Sequence, residues 1–392
     1  MVEEFKVTPW EVEGVVDYDK LIKHFGTSPL TEDLLEKTAE LTKSELPIFF
    51  RRKFFFSHRD YDLILKDYEE GRGFFLYTGR GPSGPMHIGH IIPFFATKWL
   101  QEKFGVNLYI QITDDEKFLF KENLTFDDTK RWAYDNILDI IAVGFDPDKT
   151  FIFQNSEFTK IYEMAIPIAK KINFSMAKAV FGFTEQSKIG MIFFPAIQIA
   201  PTFFERKRCL IPAAIDQDPY WRLQRDFAES LGYYKTAALH SKFVPSLTSL
   251  SGKMSASKPE TAIYLTDSPE DVEKKVWKFT LTGGRPTLKE QREKGGEPEK
   301  CVVFKWLEIF FEEDDKKLKE RYYACKNGEL TCGECKRYLI SKIQEFLKEH
   351  QRRRKKAEKL VEKFKYTGKL AQEMWNEAIP EPLKRSHHHH HH

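Results

Sequence analysis

Long apolar runs are missing from this 392-residue chain. None approaches the roughly 18 consecutive apolar residues that a membrane-spanning helix needs. The start Met1-Val2-Glu3-Glu4 has neither the basic nor the apolar region of a secretory leader, so a cytoplasmic protein without membrane contact is expected. Net charge is also nearly absent. Lys and Arg total 62 against 59 Asp and Glu, leaving +3, too little to attract nucleic acid as a whole, and an RNA surface would have to come from local basic clusters. Cysteine is scarce and odd in number at five, which without secretory context predicts reduced thiols. Cys332 and Cys335 form a C-x-x-C with Cys325 upstream, but no second such pair or His pair follows at finger spacing, so no metal site is expected. Thr331 and Glu334 read instead as the two ends of a helix-capping box. No internal repeat is present. What remains, 41% apolar and 31% charged residues, describes a globular chain long enough for two domains. His387 to His392 read as an expression tag.

Residues 1–70 form an N-terminal extension with a Pro9-Trp10 segment and a helix expected near Thr31 to Thr42. From Gly73 the pattern becomes strand, turn, helix, strand. Phe74 to Tyr77 is a short apolar run, Thr78-Gly79-Arg80-Gly81-Pro82-Ser83-Gly84 is a turn, and Ile88, Ile91, Ile92, Phe95, Trp99 and Phe104 mark a helical stripe. Proline fits only the first turn of a helix, so Pro93 predicts a start near Gly89 or His90, with His87 and His90 at the N-terminus. Gly105 ends that helix. Val106, Leu108, Ile110 and Ile112 alternate as the next strand and run into Thr113-Asp114-Asp115-Glu116, and Cys209 to Ile215 runs into Asp216-Gln217-Asp218. Ligands of open parallel sheets bind beyond the carboxyl ends of strands, so these polar segments are expected to share one crevice with Thr78.

After about Asp267 the chain turns to long, charged, helix-forming segments. Ser268-Pro269-Glu270-Asp271 is a helix start, with a serine cap, proline at the first position and acids in the first turn. The expected division is therefore 1–70, 71–266 and 267–386, with 387–392 as the tag. Gly283-Gly284-Arg285-Pro286 reads as an exposed loop. Arg352 to Lys356 lie in a helical pattern with Leu339, Ile343, Phe346 and Leu347, either as a solvated face or as an RNA contact.

Two stretches carry the chemistry. Pro85-Met86-His87-Ile88-Gly89-His90 places two imidazoles around a glycine where a helix begins, an arrangement that favours phosphate. Lys253-Met254-Ser255-Ala256-Ser257 puts a lysine and hydroxyls on a loop, suited to phosphates whose negative charge grows as a bond breaks. Gly79 to Gly84 also matches G-x-G-x-x-G, the mark of a dinucleotide enzyme. Pro82 and Pro85 interrupt its helix start, however, no acid stands at the required spacing, and the lysine loop would be left unexplained. His87 and His90 share a helix face as metal ligands would, yet no third ligand is near.

In this order the two stretches resemble the signatures of class I aminoacyl-tRNA synthetases. From about Thr8 to the C-terminal helices the chain resembles the tryptophanyl-tRNA synthetases of eukaryotic and archaeal type. The resemblance is carried by Leu76 to Ser83, Gln111 to Lys117, Phe194 to Gln198, Ala214 to Tyr220 and Lys253 to Ser257. It implies an α/β, Rossmann-type nucleotide-binding catalytic domain followed by a C-terminal all-helical anticodon-binding domain. It further implies use of ATP with Mg²⁺, formation of tryptophanyl-adenylate from L-tryptophan, transfer to tRNA(Trp), and a homodimer. The catalytic groups implied are Lys253, His87 and His90. ATP would be held by Thr78, Gly79, Arg80, Gly81, His87, Gly89, His90, Gln217, Lys253, Met254, Ser255 and Ser257, and tryptophan by Tyr77, Gln111, Glu116, Gln198 and Gln217. Arg285 would contact tRNA, and the protein itself would supply no metal ligands.

Elementary chemistry agrees with part of this assignment. An indole offers one donor and no acceptor, which suits Tyr and Gln oxygens, while an ammonium calls for a carboxylate such as Glu116. Pro9-Trp10-Glu11-Val12 resembles the family's hairpin over ATP. Two departures stand out: Ala256 where many class I enzymes carry lysine, and Pro286 where the family pattern has aspartate. A tyrosyl-tRNA synthetase of the same fold and a catalytically silent RNA-binding relative are the alternatives.

Overall fold

The apolar runs become a parallel sheet because each is covered on both sides. In the computed structural model, which describes strands Phe5–Val7 and Val12–Gly14 together with residues 16–255 and 258–384, those two segments form an antiparallel pair, β1 and β2. The main sheet has seven strands, β3 (Ser28–Pro29), β4 (Phe55–Arg59), β5 (Phe74–Arg80), β6 (Leu108–Ile112), β7 (Thr150–Gln154), β8 (Arg208–Ala214) and β9 (Ala237–Ser241). Their spatial order is β3-β4-β9-β8-β5-β6-β7. From β9 through to β7 all neighbours are parallel, while β3 and β4 add antiparallel at the edge. The extension thus completes the sheet rather than standing beside it. Pro9, Trp10, Glu11, Ala256, Ser257 and the terminal histidines lie outside the described residues.

Alternation along β5 divides the core. Leu76 belongs to one buried cluster with Ile91, Ile110 and Ile152, whereas Phe75 and Tyr77 belong to another with Tyr109, Phe151 and Phe204. The second cluster buries the face of β6 that the hydropathy pattern would leave to solvent, so Tyr109 and Gln111 are buried too, as expected of a sheet with helices on both faces. After β5 the chain moves outward through β6 and β7, then returns to place β8 on β5's other side. That reversal is the topological switch point where such sheets bind ligands.

The glycine-rich segment is less loop-like than expected, since β5 runs on to Arg80 and pairs with Ile112. The following helix, Ile88–Phe104, starts one or two residues earlier than Pro93 suggested. Helix Glu32–Thr42 lies where a helix was expected and is capped by Thr31, while Pro269–Phe279 and Cys332–Ala357 begin behind the expected caps Ser268 and Thr331, both as full capping boxes. Cys332–Ala357 is tied to the sheet-bearing part of the chain through Phe126–Ala142: His350 Nε2 lies 2.9 Å from Asp139, and Arg354 pairs with Asp139 at 3.1 Å and with Asp135. Within the basic run, Arg352 and Arg353 both pair with Glu349. Beyond them, Leu370, Ala371 and Met374 return to pack in the cluster that holds Phe151 and Phe153.

Gly283 and Gly284 face inward. A Cβ at Gly283 would sit 1.9 Å from the Glu297 carbonyl oxygen, and one at Gly284 would sit 2.1 Å from Cys332 Sγ. Close packing is their reason for being glycine. The five cysteines are free thiols.

Candidate functional site

The two signature segments, more than 160 residues apart in sequence, touch. The Ile88 N–H donates to the Ile263 carbonyl, His87 bridges Tyr264, and a Cβ on Gly89 would come within 3.2 Å of Met254 Cβ. Gly89 is therefore the point at which the histidine segment and the lysine loop close on each other. His87 and His90 stack with ring centroids 3.5 Å apart, and the His87 N–H donates to His90 Nδ1 at 3.1 Å. Burial, then the nearby Arg80 cation, holds both imidazoles well below their ordinary value, with Lys253 contributing further. Both are neutral near pH 7. Among the described residues neither buried side-chain nitrogen of His87 has a hydrogen-bond partner, so that ring can still meet a ligand. Of the first-turn amides, however, Ile88 and His90 are already spent on carbonyls, so the helix end offers phosphate less than a bare N-terminus would.

Cations line the other side. Lys253 Nζ lies 3.0 Å from Asp216 Oδ2, at the end of β8. Lys117 lies 3.8 Å from Glu116, and burial lowers its ammonium. A Cβ on Gly81 would stand 2.1 Å from Lys117 Cε, so that glycine lets the lysine lie across the strand end. Arg80 donates its Nε–H to Asn136 at 2.8 Å. Lys253, Lys117 and Arg80 are near enough to depress one another or the histidines electrostatically. Lys117 was absent from the residues assigned above, although its place after Glu116 was the available signal. Met254 is buried and Ser255 exposed. Thr78 and Gly79 stand half-buried on β5, where a Cβ on Gly79 would meet the Gln111 carbonyl at 3.2 Å.

The amino-acid side of the crevice is a buried polar chain. The Tyr77 hydroxyl lies 2.6 Å from Gln111 Oε1 and 2.7 Å from the Gln198 carbonyl. Gln111 Nε2 donates to Asn155 Oδ1 (3.0 Å) and the Ile197 carbonyl (3.2 Å). Asn155 Nδ2 in turn donates to Asp115 Oδ1 at 3.0 Å. Asp115 also accepts from the Tyr162 hydroxyl (2.9 Å) and the Glu116 N–H (2.8 Å). Burial raises this carboxyl to about 6 against those lowering donors. Glu116 accepts from the Thr113 hydroxyl at 2.8 Å, and Gln217 closes the short turn after β8. Asn155 and Tyr162 carried no motif and were not anticipated.

Asp218, expected in the crevice, points away from it. Its carboxylate takes two 2.8 Å bonds from Arg59 and one from His240 Nε2, while His240 Nδ1 meets Ser57 Oγ at 2.6 Å. All are buried apart from a small part of Arg59. Arg285 pairs with neither Glu290 nor Glu293 but donates Nε–H to the Gly295 carbonyl at 2.8 Å. A cavity of about 590 Å³ lies elsewhere, among Phe49, Trp99, Phe310 and His350. The crevice is marked by its chemistry, not its volume.

A doubly covered parallel sheet with histidine and lysine signatures meeting at its switch point is the arrangement of a class I synthetase, and a family model described as tRNA synthetases class I (W and Y) matches residues 69–348. The tryptophan–tRNA ligase of Pyrococcus abyssi is 95% identical over 384 residues, spanning 98% of this chain and 100% of that protein. The one from Pyrococcus furiosus is 89% identical over 385 residues, with the same coverage of both. The crystal structure of Plasmodium falciparum tryptophanyl-tRNA synthetase is 40% identical with a TM-score of 0.85, covering 91% of this chain and 99% of that one. The chain belongs to the tryptophan–tRNA ligase family.

Proposed function

We propose that the chain activates L-tryptophan with ATP and transfers it to tRNA(Trp), using Tyr77, Gln111, Glu116, Gln198 and Gln217 for the amino acid and the His87/His90 and Lys253 segments for the nucleotide. What supports this reading is the close approach of Gly89 to Met254, which sets the histidine segment against the lysine loop, together with the Tyr77–Gln111 pair on the neighbouring strands β5 and β6. Attack of the tryptophan carboxylate on the α-phosphorus releases pyrophosphate. Negative charge then builds on the leaving phosphates, where Lys253 and Lys117 stabilise it, and no covalent enzyme intermediate is needed. Neutral His87 and His90 can donate or accept hydrogen bonds to the phosphates without adding charge. Among the described residues no group of three or more His, Cys, Asp or Glu is placed to hold a metal ion, so Mg²⁺ is read as entering with ATP on its phosphate oxygens.

The division proposed is an extension to residue 70, a catalytic domain over 71–266 and a helical anticodon-reading domain over 267–386, with Arg285 as a tRNA contact. A homodimer is proposed, and the large apolar side chains exposed on the helices Lys160–Ala169, Phe174–Phe181 and Ile189–Ile199, Ile189 at 85%, are the surfaces offered for it. Among the described residues no helix is long and apolar enough to cross a membrane. Amino-acid-dependent exchange of pyrophosphate into ATP tests substrate and reaction together: tryptophan supports it and tyrosine does not. Equal exchange with tyrosine overturns the substrate, and exchange with neither overturns the activity. Sedimentation of Ile189→Lys tests the dimer, whose face is elsewhere if that variant sediments like the wild type.

A further inference from the structure

A glutamine amide offers an acceptor at one end and a donor at the other, in nearly the same shape. Which end of Gln111 faces a ligand is therefore decided by the groups behind it. We propose that Asp115 is a positioning residue that sets the polarity of the amino-acid pocket through Asn155 and Gln111, turning acceptor oxygens toward the ligand ring; this rests on the reading of Tyr77 and Gln111 as the indole contacts.

A carboxylate only accepts. Asp115 Oδ1 therefore takes the Asn155 amide N–H at 3.0 Å, which leaves Asn155 Oδ1 facing Gln111. Gln111 answers with its Nε2, which the Ile197 carbonyl also accepts at 3.2 Å. Its Oε1 is left beside the Tyr77 hydroxyl. That hydroxyl has one proton and two acceptors within reach, Gln111 Oε1 and the Gln198 carbonyl, so its lone pairs remain for an incoming donor. The reversed Gln111 would set oxygen against oxygen at both Asn155 and Ile197. Gln111 and Asn155 are fully buried and Asp115 nearly so, and no bulk water is available to repair such a mismatch. The carboxyl at the far end is thus the origin of a one-way chain. A ring with a single N–H donor fits it, and a ring of the same shape without that donor leaves buried oxygens unpaired.

The test compares pyrophosphate exchange with tryptophan and with β-(1-benzothiophen-3-yl)alanine, in which sulfur replaces the ring N–H, at about pH 8 so that Asp115 is ionised. Wild type is expected to favour tryptophan by about 10²-fold or more in kcat/KM. Asp115→Asn, whose amide lets Asn155 turn and leaves the Ile197 carbonyl alone to hold Gln111, should cut that ratio about tenfold through the tryptophan KM, with the ATP KM within about threefold of wild type. Asn155→Ala, which breaks the chain at a second point, should do the same. Gln111→Leu should remove most of the preference, and adding Asp115→Asn to it should change the ratio no further, because nothing remains to be oriented. A wild-type ratio in both Asp115→Asn and Asn155→Ala overturns the relay while the indole contact stands. A wild-type ratio in Gln111→Leu overturns the contact and the relay together.

Discussion

Replacing Asp218 by asparagine keeps the shape of a buried side chain and removes the charge on which Arg59 and His240 depend. Burial alone would raise this carboxyl, but His240 and the Arg59 guanidinium overcome it and hold the group at about 2, against an ordinary 3.8. A depression of that size corresponds to about 2 kcal/mol of folding free energy. Breaking the pair also strands the Arg59 guanidinium, whose side chain is only 11% exposed, and losses of this kind run to about 3–5 kcal/mol. Guanidinium unfolding of Asp218→Asn at neutral pH, followed by tryptophan fluorescence, should therefore show a loss of that order. The pH dependence has a definite sign. A depressed carboxyl contributes stability above its unfolded value and loses it as pH falls through the folded one, so the gap between wild type and variant should narrow from about pH 4 to about pH 2. Because Asp218 directly follows Gln217, KM for tryptophan should rise as well. A neutral-pH loss below about 1 kcal/mol, or a gap that does not change with acid, would refute the buried-network argument.

Lys253→Ala should slow adenylate formation by about 10²-fold or more while tryptophan affinity stays within about twofold, and a wild-type pre-steady-state rate would sink the assigned role. Arg285→Ala should lose anticodon-sensitive tRNA binding and aminoacylation but keep tryptophan-dependent exchange; a parallel loss in both would place the residue in folding, through its bond to Gly295. His87 and His90 are held neutral by burial and cations, so the unfolded chain takes up protons below about pH 6.5 that the folded chain refuses, and stability should fall with acid there. In His87→Gln that decline should be shallower, and an unchanged slope would show that His87 takes no part in it.

The repeating features were legible because they are local. Caps at Ser268 and Thr331 need only their own helix, and each begins a helix in the structure. The apolar runs of β5, β6 and β8 announce buried strands that end in polar residues, and the switch-point rule then gathers those ends. The edge strands β3 and β4 escaped notice because one is two residues long and the other, with Ser57, His58 and Arg59, carries polar groups that make sense only once His240 and Asp218 are packed against it.

Side-chain direction was the less legible part, and it decides function. Asp216, Gln217 and Asp218 are adjacent in sequence and were expected to share the crevice, but the turn Ile215–Gln217 rotates successive residues by about 120° and passes straight into the helix Asp218–Phe227. Asp216 consequently reaches Lys253 while Asp218 reaches Arg59 and His240. The same reasoning applies to Asn155, which follows the edge strand β7, 44 residues from Gln111, and joins it only because β6 and β7 pair in register through Gln111 and Phe153. Recognition of a single ring N–H therefore depends on a register between strands as much as on the two residues that would touch the ring. Substitutions that shift β7 against β6 should relax selectivity before they abolish binding.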